Sequence, residues 1–134
     1  MKYCADTWFL LKIYAKDEKA KILFINIKQG AGSLVIPSIV LTETYKNLLQ
    51  QGINLRQIDE FIDPLEVSFR IELISEDRNI AKEAAKISLS YNIPLVDSII
   101  AATAKLTNCS LILSGDSDLR KLHKARYIKV LSWE

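Results

Sequence analysis

A chain of 134 residues, 49% apolar and 25% charged, carries enough apolar surface for a folded core, which sets aside the disordered and fibrous classes. Its longest apolar run, Leu34 to Leu41, is interrupted by Pro37 and Ser38 and falls well short of the roughly 20 residues needed to cross a bilayer, so no membrane span is expected. A formal net charge of +2 does not by itself announce a nucleic-acid binder, and a lone histidine, His123, rules out a convincing Ser/His/Asp or Cys/His arrangement, so any chemistry must come from carboxylates.

In chain order, Lys2-Tyr3-Cys4-Ala5 reads as a strand, and Asp6-Thr7 can cap a helix starting at Trp8. Because Asp6 breaks the first hydrophobic stretch so early, no secretion signal is expected and the chain reads as cytoplasmic. From Asp17 to Gln29 the positions Ala20, Leu23, Phe24 and Ile27 recur at helical spacing until Gly30 and Gly32. Leu34-Val35-Ile36 is a second strand, and Pro37-Ser38 open a helix toward Gln51, with Gly52 as its stop and Glu43 one turn inside. Asn54 to Phe61 predicts a short helix ended by Asp63-Pro64, after which the alternation of Leu65, Val67 and Phe69 with Glu66 and Ser68 predicts a third strand. Between Ser75 and Tyr91 the apolar spacing predicts a helix with Glu76 and Asp77 in its first turn, closed by Asn92-Ile93-Pro94. A small, apolar helix suited to burial then runs from Asp97 through Leu106. Ser110 to Leu113 is a fourth strand, Ser114-Gly115-Asp116 a turn, and Ile128 to Leu131 a final edge strand. Cys4 and Cys109, each beside or within an apolar stretch, read as reduced core thiols.

Alternating strands and helices predict an α/β fold with a parallel sheet covered on both faces. In such sheets ligands sit beyond the carboxyl ends of the strands, where Asp6 and Asp116 must fall. Asp6, Asp97 and Asp116 could each be a helix cap, and Glu43 could face solvent. Their convergence at one edge argues for more, because clustered anions repel unless a cation neutralises them. Carboxylates without histidine or thiol suit Mg2+ or Mn2+ rather than zinc. Two basic groups, Lys12 to Lys28 and Arg120, Lys121, Lys124, Arg126 and Lys129, could border an anionic substrate or serve only as solvation.

Four segments taken together, Tyr3 to Thr7, Pro37 to Glu43, Ile93 to Ala104 and Leu113 to Leu119, resemble the ordered motif set of PIN-domain nucleases across nearly the whole chain. The most specific part is Asp97 followed by Ser98-Ile99-Ile100-Ala101-Ala102-Thr103-Ala104. The resemblance implies a single domain over 1–134, a PIN-like three-layer α/β/α sandwich with a mainly parallel sheet of about five strands flanked by helices. It further implies that Asp6, Glu43, Asp97 and Asp116 are acidic catalytic and metal-binding residues. Thr7, Ser114 and Asp118 match supporting polar positions, Asp118 reaching the metal through water. Trp8, where a smaller or polar residue is common, and Leu119, where an aromatic is frequent, depart from the pattern without removing a ligand.

A PIN domain of this size resembles the VapC toxin of VapBC toxin-antitoxin pairs. That implies a Mg2+- or Mn2+-dependent endoribonuclease acting on RNA, silenced by a small VapB-like antitoxin and forming a homodimer. The alternatives are a non-catalytic RNA-binding or interaction module of the same fold and a DNA-directed nuclease of the same superfamily.

Overall fold

The computed structural model describes residues 1–133. The elements run β1 (Lys2–Ala5), α1 (Thr7–Tyr14), α2 (Glu18–Lys28), β2 (Ser33–Pro37), α3 (Ser38–Gln50), α4 (Leu55–Glu66), β3 (Ile71–Ile74), α5 (Arg78–Tyr91), α6 (Leu95–Leu106), β4 (Leu111–Leu113), α7 (Ser117–Lys124) and β5 (Lys129–Leu131). The strands form one sheet in the order β3-β2-β1-β4-β5, parallel throughout. Leu34, Val35 and Ile36 of β2 are all fully buried, as are Cys4, Ala5, Ile112 and Leu113. A parallel sheet buried on both faces needs helices on both, which gives the three-layer α/β/α sandwich.

The order places β1 and β4 side by side at the point where the winding reverses. After β1 the chain steps outward to β2 and β3, then returns across the sheet to β4 and β5. Ligands of such sheets occupy the crevice between those two carboxyl ends. Register brings Ala5 opposite Leu113, and the Asp6 amide donates to the Leu113 carbonyl at 3.2 Å. Asp6 and the turn after β4 are therefore neighbours by construction.

The return crossing is made by α5 and α6, which pack on each other, with α6 against β1, β2 and β4. Ile100, Ala101, Ala102 and Ala104 have no exposed surface, and small side chains there let the α6 backbone approach its neighbours closely. The hydroxyls of Ser98 and Thr103 donate to the Pro94 and Ile99 carbonyls at 2.9 and 2.7 Å, so these buried polar groups are satisfied within their own helix.

The expected third strand at Leu65 to Phe69 is corrected. Leu65 and Glu66 close α4, while Val67 and Phe69 are 84% and 94% exposed, and the strand is β3 one turn later. Leu65 continues the buried stripe of Ile58 and Ile62 at helical spacing, and that packing outweighs the alternation signal. Pro64 is tolerated inside α4 because it and Glu60, whose carbonyl loses its partner, are both exposed, so water can take the vacant bond. The helix expected from Ser75 starts instead at Arg78. Asp77 is its cap, accepting the Ile80 amide at 2.8 Å, and Asn92 ends it with a left-handed φ of 54°. No helix extent follows from the sequence between Asp116 and Ile128, yet α7 forms there, with Leu119 and Leu122 buried. Cys4 is buried, Cys109 half-buried, and both are free thiols. No helix among the described residues is long and apolar enough to cross a membrane.

Candidate active site

Beyond the carboxyl ends of β1 and β4 lies a cavity of about 390 Å³ whose lining includes Asp6, Glu43, Asp97 and Asp116. Four separate elements supply them: Asp6 follows β1, Glu43 lies in α3, Asp97 in the first turn of α6, and Asp116 caps α7. The capping explanation fails for two of the three aspartates. Asp6 occupies a cap position, but its side chain makes no capping bond. The cap of α6 is Pro94, not Asp97. Only Asp116 caps, its Oδ1 accepting the amides of Asp118 and Leu119 at 2.7 and 3.2 Å.

Hydroxyls hold the acids in place. Ser114, fully buried, donates from Oγ to Asp6 Oδ2 at 2.5 Å and accepts the Asp116 amide at 2.9 Å, so one side chain ties the ends of β1 and β4 together. Thr7 donates from Oγ1 to Glu43 Oε1 at 2.7 Å, linking α1 to α3. Each hydroxyl occupies one oxygen of a carboxylate and leaves the other for a ligand.

The tightest group is Asp97, Asp116 and Asp118, which can each offer a carboxylate oxygen such that all lie within 4.8 Å of one another. Asp6 and Glu43 border the same cavity but stand outside this trio. Asp118 also pairs with Lys121 at 3.2 Å. Burial, then the charges of Asp116, Asp6, Asp118 and Glu43, push the Asp97 carboxyl up to about 7. Burial likewise raises Asp6 to about 6, against the lowering effect of the Ser114 and Thr7 hydrogen bonds, with Asp116 and Glu43 adding to the rise. This is a group of anions short of positive charge. Three close carboxylates without histidine or thiol fit a hard divalent cation that takes oxygen ligands and keeps part of its water shell.

Sequence reasoning missed the rest of the lining. Lys46, Asn47 and Gln50 follow Glu43 along α3 at offsets of three, four and seven, so helical periodicity counted from Glu43 could have found them. Trp8 and Gly115 also line the cavity and touch each other; a Cβ on Gly115 would lie 2.5 Å from Trp8 Nε1. Trp8 also meets Trp133 edge-on at 4.9 Å, and the Lys12 ammonium sits 5.4 Å from its ring.

An α/β/α sandwich with carboxylates gathered where its winding reverses defines a class, and the chain belongs to the PIN domain family, matched over residues 3–125. Among solved structures it is similar to VapBC2 from Rickettsia felis, bound to a DNA fragment from its promoter, with a TM-score of 0.78 and 16% identity over 100% of both chains. It is also similar to VapBC-1 from nontypeable Haemophilus influenzae, with a TM-score of 0.71 and 20% identity over 99% of this chain and 98% of that one. A third, Mycobacterium tuberculosis VapC20, described as a toxin cleaving the sarcin-ricin loop, has a TM-score of 0.70 and 17% identity over 88% of this chain and 92% of its own. None of the curated proteins matches by sequence.

Proposed function

We propose that this chain is a divalent-metal-dependent endoribonuclease and the toxin of a type II toxin-antitoxin pair. The observation that carries the reading is the approach of carboxylate oxygens of Asp97, Asp116 and Asp118 to within 4.8 Å of one another, with Asp6 and Glu43 lining the same cavity as Asp97 and Asp116. A Mg2+ or Mn2+ ion held there would supply positive charge to offset the negative charge on the phosphate oxygens and would make a water easier to deprotonate. Asp97 and Asp116 would hold the cation, with Asp118 beside them; Asp6 and Glu43 would complete the set directly or through water. Ser114 and Thr7 keep Asp6 and Glu43 from turning away, so the pocket is organised before substrate arrives. The likeness to toxin-antitoxin structures supports a small VapB-like antitoxin as partner; a homodimer is the assembly that the motif resemblance implies.

The test is cleavage of matched single-stranded RNA and DNA oligonucleotides with Mg2+, with Mn2+ and with chelator, by the native chain and by Asp6→Asn and Asp97→Asn. Expected is RNA cleavage that needs metal and falls by about 10²-fold or more in either variant. Equal cleavage by the variants, or cleavage in chelator, contradicts the proposal; preference for DNA would reassign the substrate, since the 2′-hydroxyl is what separates the two.

A further inference from the structure

A second cavity, of about 590 Å³, lies at the opposite end of the sheet from the acidic site, and the nuclease reading leaves it unexplained. It opens around Met1, Ser110 and Lys129, which precede or begin β1, β4 and β5. None of its lining residues is acidic, while Lys105, Lys124, Arg126 and Lys129 all contribute to it. Lys105 is committed to the protein, donating to the Tyr127 carbonyl at 3.0 Å and sitting 4.9 Å from the Tyr127 ring. Lys124, Arg126 and Lys129 are exposed, and among the described residues no carboxylate pairs with them. His123 Nδ1 accepts the Val130 amide at 2.9 Å, so in the neutral ring Nε2 carries the proton and is a donor. Cations and a fixed donor around an opening with no counter-charge are suited to an anion.

What links this cavity to the acidic site is α7. The helix begins at Asp116 and Asp118 and ends at His123 and Lys124, with Lys121 between. Its eight residues span about 12 Å, a few nucleotides of an extended strand. With Lys121 and Lys124 on α7 and Arg126 and Lys129 just beyond it, basic residues recur along the chain that runs from the acidic site to the cavity, an arrangement that suits a chain of phosphates better than one small anion.

We propose that this cavity binds backbone phosphates of the RNA strand whose scissile bond lies at the acidic site. Lys124, Arg126 and Lys129 are the phosphate contacts, and the flanking strand follows α7 between the two ends of the sheet. This rests on the nuclease reading, and the test separates the two.

Affinity of a fluorescent single-stranded RNA 20-mer and of a duplex DNA of the same length is measured against KCl concentration in an Asp97→Asn background, with and without the pair Arg126→Ala and Lys129→Ala. Cleavage kinetics are measured on the same cavity variants with Asp97 intact. Losing two phosphate contacts lowers the log Kd against log salt slope by about 1.4 for the RNA 20-mer. In cleavage of the 20-mer, KM rises roughly tenfold with kcat unchanged, and Arg126→Lys with Lys129 intact keeps the native slope. Thermal unfolding of the variants reports that the fold is intact. Cleavage with an unchanged slope overturns this inference and leaves the nuclease reading standing. A reduced slope with no cleavage by the native chain keeps the cavity as an RNA contact and removes the nuclease. A slope that changes only for duplex DNA overturns the RNA assignment.

Discussion

Gly115 is a glycine for want of space. An added Cβ would lie 2.5 Å from Trp8 Nε1 and 2.9 Å from two further indole atoms, and the ring cannot swing aside freely because Trp133 and Lys12 hold it. Gly115→Ala is expected to destabilise the fold by about 1–3 kcal/mol, read from urea unfolding, with Trp8→Ala in the same chain recovering part of the loss. The sequence marks Trp8 as a departure from the family pattern and Gly115 as part of a turn, but nothing in it ties them together. That contact exists only because β1 and β4 are neighbours. By contrast, placing Asp6 and Asp116 at one edge needed only the rule that each follows a parallel strand. Glu43, Thr7 and Ser114 follow from the motif resemblance, but which hydroxyl holds which carboxylate required the tertiary structure, since the pairings join α1 to α3 and the ends of β4 and β1.

At the scale of elements, periodicity was informative where one signal acted alone and misleading where two competed. The β2 run and the buried α6 stripe are plain in the sequence, whereas Leu65 satisfies both the alternation of a strand and the stripe of α4. Burial of Ile58, Ile62 and Leu65 together decided for the helix. The cap of α7, Asp116, is legible in the sequence but its extent is not, because only Leu119 and Leu122 are apolar in a strongly charged segment. The importance of α6 is positional: it carries Asp97 in its first turn and has fully buried alanines behind it. Ala102→Leu is expected to destabilise the protein by about 1–3 kcal/mol and, by lifting α6 from its neighbours, to weaken divalent-ion binding. Unfolding and titration calorimetry on the same sample check both parts; full-strength Mn2+ binding in a destabilised variant would separate the helix position from the site.

For the molecule as a whole, the acidic cluster is a source of instability, and on the proposed reading a divalent cation would relieve it. Without metal, Asp97 keeps its proton up to about pH 7 and Asp6 up to about 6, whereas both lose it near 3.8 once unfolded. Between those values the folded chain holds more protons than the unfolded one. The stability these two groups contribute is therefore greatest below 3.8, declines as pH rises through 6 and 7, and levels off above. A divalent ion that binds only the folded state acts in the opposite direction, and most strongly once the carboxylates are ionised. Thermal unfolding at pH 5 and pH 8, with and without Mn2+, for the native chain and Asp97→Asn, tests this most directly. The expected result is a native Tm that Mn2+ raises clearly at pH 8 and little at pH 5, together with an Asp97→Asn chain that is more stable than the native one without metal at pH 8 and nearly indifferent to Mn2+. A native Tm that ignores Mn2+ at pH 8, or an equal response from Asp97→Asn, would contradict the claim that these carboxylates are gathered to hold a cation.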